Sequence, residues 1–151
     1  MWARSGGLLI LFVFSLCAVG STTVTAPSAD GNVPHLSLKG YDPVAYFLLG
    51  RPARGNPKFE TVFDGSRYRF VSVQHKRLFL ADPDRYAPQF AGACARGVSM
   101  GMKIESNPHV WRIVDGRLYV FSSKKVVPAK IATVIDNARE QWKNVKAKPF
   151  N

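Results

Sequence analysis

The chain has 151 residues, 46% of them hydrophobic, and 21 Lys and Arg against 10 Asp and Glu give a formal charge of +11. That length suffices for one domain and not for two of ordinary size. The charge points toward anionic surfaces or acidic partners. Its carriers (Arg51, Arg54, Arg67, Arg69, Lys76, Arg77, Arg85, Arg112, Lys124, Lys125, Lys143, Lys146 and Lys148) are spread along the whole chain. No dense basic tract interleaved with aromatics appears, so no nucleic-acid partner is expected.

Residues 1–26 read as a secretory signal. Arg4 supplies the positive start, an apolar run from Leu8 continues to about Val19, and Val24-Thr25-Ala26 offers small residues for cleavage. The run falls short of the ~20 apolar residues of a membrane-spanning helix, so no retained transmembrane helix is expected. Cys17 follows Leu16 without a small residue before it, which argues against acylation, and no twin-arginine pair is present. Only Arg4 of the net charge lies in this segment, which leaves +10 on the exported part. The exported protein is periplasmic if bacterial and otherwise secreted. Residues 27–34, polar and rich in small side chains, read as a tether, and 35–148 as the folded domain.

Asp42 is placed to cap a helix that begins at Pro43 and ends by Gly50. A first hairpin pairs 59–63 with 67–71 across Asp64-Gly65, and a second pairs 110–114 with 117–121 across Asp115-Gly116. Tyr68 and Phe70 alternate with Arg67 and Arg69, so one face of that strand should be buried. The second hairpin is apolar on both faces, which suggests a central place in the sheet. Between them, Ser72 caps a short helix stopped at Asp82-Pro83, and a glycine-bearing loop runs from Pro88 to about Gly101. Ile131, Val134, Ile135, Ala138, Trp142 and Val145 recur at helical spacing, the stripe of a C-terminal helix lying on the sheet. No internal repeat is evident beyond the two hairpins. The expected fold is α+β, a small antiparallel sheet of two hairpins packed with short helices and an amphipathic C-terminal helix.

Gly40-Tyr41-Asp42-Pro43-Val44-Ala45-Tyr46-Phe47, Tyr68-Arg69-Phe70-Val71-Ser72, the stretch from Phe79 to Phe90, Gly92-Ala93-Cys94-Ala95, Val98-Ser99-Met100-Gly101 and Trp111 occur in an order that resembles the YHS-domain family. The likeness is to its exported bacterial subgroup, some members of which carry selenocysteine, and covers nearly all of 36–145. It implies a small binding domain whose general activity is not settled, with metal, often copper, suggested by relatives attached to metal-transporting ATPases. The cysteines of metal-binding relatives fall here on Val71 and His75, so that inherited site is lost. The Gly-Gly-x-Cys segment of the exported subgroup reads Ala91-Gly92-Ala93-Cys94 here.

With the signal removed, Cys94 is the one cysteine left and no internal disulfide can form. Two opposed readings follow: a reactive thiol whose pKa Arg96 lowers, or a small buried hydrophobe. Met100 and Met102 add soft donors, so Cys94, Met100 and Met102 with His75 form the candidate set for copper or another soft metal. His35 and His109 show no ligand spacing. Tyr41, Asp42, Tyr46, Tyr68 and Tyr86 are a candidate pocket lining. No Ser-His-Asp context, paired carboxylates or nucleotide-binding glycine loop points to an enzyme. Three functions remain open: an envelope binding module holding a soft metal at the Cys94 loop, a thiol-redox protein using Cys94, and an interaction domain without chemistry. The partner would be an anionic envelope component or an acidic protein.

Overall fold

The computed structural model describes residues 33–151; the expected signal over 1–26 and residues 27–32 of the expected tether lie outside the described residues. Strand β1 (His35–Leu36) leads into a 3₁₀ turn (Ser37–Gly40) and helix α1 (Pro43–Leu48). Strands β2 (Asn56–Phe63) and β3 (Ser66–Phe70) form the first hairpin, followed by α2 (Val73–Ala81) and α3 (Pro83–Tyr86). A second 3₁₀ turn (Gln89–Gly92), α4 (Ala95–Ser99), the hairpin of β4 (Asn107–Val114) and β5 (Arg117–Phe121), and α5 (Ile131–Val145) complete the chain.

The fold is α+β, but the two hairpins do not share a sheet. β1 adds to β3 in parallel to give the order β1-β3-β2, whereas β4 and β5 form a two-stranded sheet of their own. β5 is apolar on both faces because it lies between two cores. Leu118 and Val120 pack with Leu38 and Tyr46, while Tyr119 and Phe121 pack with Phe90, Val98, Ile135 and Ala138. The stripe of α5 joins that second group, and its partners include Ala95 and Val98 of α4, a helix that falls within the expected loop. A further core, Val44, Tyr68, Phe70, Phe79 and Tyr86, lies under the first hairpin.

The repetition extends well beyond the hairpins. Asn56-Pro57, Asp64-Gly65, Tyr68, Phe70 and Ser72 recur in the same order and spacing as Asn107-Pro108, Asp115-Gly116, Tyr119, Phe121 and Ser123. Asn56 and Asn107 each accept a hydrogen bond from the amide two residues on, at 2.9 and 3.0 Å. The strand registers slip at the same place, between Asn56 and Glu60 and between Asn107 and Trp111. Both turns use an Asp-Gly pair with positive φ, which fits the right-handed strand twist. Each half also opens with a 3₁₀ turn whose inner residues are left-handed: Leu38 and Lys39 in one, Phe90 and Ala91 in the other. The two turns meet. Ser37 Oγ donates to Ala91 O at 3.1 Å, and a Cβ on Gly92 would lie 2.6 Å from that hydroxyl, so only glycine fits there.

After each turn comes one side-chain acceptor that ties helix to hairpin. In the first half it is the fully buried Asp42 carboxylate. Its Oδ1 accepts from the amides of Val44 and Ala45, capping α1. Its Oδ2 accepts from Val71 N at the end of β3 and pairs with His75 Nδ1, both within 2.8 Å. Asp42→Ala would leave three amides and an imidazole short of one acceptor. The expected loss is at least ~3 kcal/mol, since each buried donor left unmade costs about 1–3. Asn at 42 should recover part of it, because its carbonyl oxygen can still cap α1. Urea unfolding of the three proteins measures both.

Candidate functional site

Cys94 stands in the second half where Asp42 stands in the first. Asp42 N donates to Ala53 O and Cys94 N to Ile104 O, both at 2.9 Å. Asp42 receives the amide of Val71, and Cys94 Sγ receives the corresponding amide of Ser122 at 3.2 Å, with Ser122 Oγ at 3.6 Å. The thiol is only 1% exposed. It is a buried acceptor holding the end of β5 to the start of α4.

The other proposed metal donors lie elsewhere. Met100 and Met102 are exposed just past α4, where Met102 N turns back to donate to Gly97 O at 3.0 Å, whereas the Cys94 thiol is buried before the helix. His75 belongs to the first half, where its Nδ1 is engaged by Asp42. Among the described residues no group of three or more His, Cys, Asp or Glu side chains is placed to hold a metal ion. Cys94 should therefore resist thiol reagents in the folded protein and react at the rate of unfolding. Anaerobic copper(I) titration should show no site that disappears in Cys94→Ser; a sub-micromolar site lost in that variant would contradict this placement.

The residues proposed as one pocket are distributed between cores. Tyr46 is buried, donates to Pro108 O at 2.9 Å and meets Trp111 edge-on. Tyr41 is half-buried, with its hydroxyl 3.1 Å from His109 Nε2. Tyr86 packs against Phe47 in the first core. Of this set, Tyr68 borders an open cleft whose lining brings the two halves together.

That cleft has a volume of about 450 Å³. Phe63, Asp64 and Tyr68 from the first hairpin form one side. Asp84 of α3, Gln89, Phe90 and Ala91 form the back, and Arg117 of β5 with Arg139 and Trp142 of α5 form the other side. Phe90 and Trp142 rings lie 5.7 Å apart, which fixes an aromatic corner. Two contacts span the halves beside the cleft: Lys146 Nζ to Asp64 Oδ1 at 3.1 Å, and the Arg117 guanidinium to Asp84 O. Both are exposed, so they hold the opening weakly. The left-handed Phe90-Ala91 pair is not a strain particular to this wall, because Leu38-Lys39 repeats it in the other half.

Sequence reasoning missed Phe90, Arg117, Arg139 and Trp142 as a group. They come from three separate elements, and no local spacing joins them. No family model matches the chain, and neither a curated protein nor a solved structure is detectably similar to it.

Burial pushes the Tyr68 phenol up to about 12, with the Asp64 charge adding to it and hydrogen bonds to Ser37 and Ser66 opposing it. Tyr46 is raised as well, first by burial and then by Tyr41 and Asp42. Both phenols are neutral in the fold and ionise more readily in the unfolded chain. Their contribution to stability is full below the unfolded value of about 10 and is lost as pH rises through the folded values. An ultraviolet phenolate titration should show the Tyr46 and Tyr68 phenols ionising only above their ordinary value, with unfolding.

Proposed function

We propose that this protein is an exported binding module of the cell envelope, similar in kind to YHS domains, and that it holds a small polar ligand in the cleft between its two halves. One observation carries the reading: an open volume of about 450 Å³, of ligand-site size, lined by aromatic and charged side chains from both halves. The sequence resemblance to exported YHS domains and the signal-like first 26 residues support the envelope location. Among the described residues, no helix is long and apolar enough to cross a membrane.

The chain's part is to bind. Trp142 offers a half-buried ring over a floor of buried Phe90 and Tyr68, while Arg117, Arg139, Asp84 and Gln89 offer polar partners at the edge. Cys94 takes no part in this function; its thiol serves the fold.

The test is a ligand-observed NMR screen of small sugars, amino acids and organic acids against the full chain. Hits should shift the Trp142 indole signal and disappear in Gln89→Trp, which fills the cleft at a half-buried position without touching a core. Hits that persist in a folded Gln89→Trp, or a screen in which no compound moves Trp142, would leave an interaction domain without a ligand as the better account.

A further inference from the structure

We propose that His35 is an acid-sensitive catch for the segment after α5: its neutral imidazole holds residues 146–151 against the domain, and protonation releases them. The inference is independent of what the cleft binds.

The segment is a strap held at few points. Val145 is the last core residue of α5, and residues 146–149 are exposed. Beyond them Phe150 packs at the margin of the second core, and Asn151 N donates to Lys103 O at 2.9 Å. The Lys103 ammonium donates to Lys146 O at 2.8 Å and to Lys148 O at 2.9 Å, which satisfies carbonyls at the end of α5. It also stands 4.7 Å from the centre of the Phe150 ring. His35 is the second partner of that ring. The two rings lie 3.8 Å apart and within 17° of parallel, and His35 Nε2 is 3.4 Å from Glu105 Oε1. One half-buried phenyl thus joins β1, the 103–105 segment and the strap.

The charges around His35 decide what protonation does. β1 pairs with β3, whose Arg67 donates to Pro34 O at 2.9 Å and meets Glu60 at 3.4 Å. Glu105 and Lys103 act on the imidazole from the 103–105 segment. An imidazolium would therefore gain one anion, Glu105, and meet two cations, Lys103 and Arg67. It could gain little from the Phe150 ring, where Lys103 already supplies a cation. Burial holds the His35 imidazole below its ordinary value, with Glu105 opposing this and Lys103 and Arg67 adding to it. Release of Phe150 returns the ring to water, so the released form takes up a proton more readily than the closed one. Closure is then complete above the ordinary histidine value of about 6.5 and weakens as pH falls below it. Lys146, at the root of the strap, also reaches Asp64 in the first half, so release loosens that edge of the cleft.

The test is an NMR titration of the full chain from about pH 7.5 to 5, either side of the ordinary histidine value. It reads the His35 ring protons, the Phe150 ring and the Asn151 amide, with the β5 amides reporting on the core. His35 should titrate below its ordinary value. The Phe150 and Asn151 signals should move toward unfolded-chain positions in step with it, while the β5 amides stay fixed. His35→Phe keeps a stacked ring without a titrating group, so the pH-dependent movement of Asn151 should be lost and the strap should stay closed. Phe150→Ala should leave the strap open at pH 7.5 and return the His35 titration to near its ordinary value. Glu105→Gln removes the opposing charge and should lower the His35 value further.

Phe150 and Asn151 signals that stay put through the His35 titration would overturn the proposal. The same movement in His35→Phe would assign it to another group and overturn it as well. A His35 value at or above the ordinary one would reverse the sign of the effect, and the catch would then tighten in acid. Loss of the β5 signals together with the strap would mean general unfolding rather than a catch.

Discussion

A carboxylate with no solvent exposure holds the first half of this protein together. Asp42 has two oxygens and serves four donors: two amides at the start of α1, one at the end of β3, and the imidazole of His75 on α2. Burying a carboxylate is costly unless its lone pairs are used, and here they are. The arrangement constrains three elements at once. Pro43 must sit at the first helical position, β3 must end at Phe70, and α2 must start close enough for His75 to reach back. With those fixed, Val44, Phe70 and Phe79 converge on a common core.

The second half follows the same plan with a different atom at its centre. Cys94 Sγ replaces the carboxylate and accepts one amide instead of three, and the thiol donates in turn to the Ser122 hydroxyl at 3.6 Å. A thiol is a weaker acceptor, but it avoids burying a charge. What the half loses in polar ties it regains in apolar packing. α5 covers α4 and the β4–β5 hairpin with Ile135, Ala138 and Val145, a covering element far longer than α2. Two halves of one plan are thus held by different balances of forces, one largely through a polar hub and the other largely through burial.

Much of this organisation was legible in the residues. Asp-Gly pairs between alternating strands, Asp42-Pro43 before an apolar run, Ser72 before another and the stripe from Ile131 to Val145 all describe their own surroundings, so each can be read within a few residues. The division into two sheets was not legible, because β5 looks like a central strand from its sequence. Burial on both faces is what the pattern reports, and two flanking cores give the same pattern as two flanking strands. Helix α4 escaped for a related reason: Ala95-Arg96-Gly97-Val98-Ser99 is too short for a helical period to declare itself. The equivalence of Asp42 and Cys94 lay beyond local reading altogether. Their side chains share little chemistry, and only the backbone around them repeats.

That equivalence also decides where function should be sought. A single cysteine among the described residues draws attention as a reactive group, yet the position it fills is that of a buried acceptor in both halves. The cleft lies beside an element in which the two halves differ. Here the difference is α5, with no counterpart of its length in the first half, and α5 supplies Arg139 and Trp142. The first half answers with the tip of its hairpin and with α3, whose Asp84 carbonyl receives Arg117. The polar side chains that face each other across this opening are tied mainly by exposed contacts, which cost little to rearrange. A buried core of Leu38, Tyr46, Leu118 and Val120 joins the halves, and the exposed ties across the opening can rearrange without disturbing the Asp42 and Cys94 anchors.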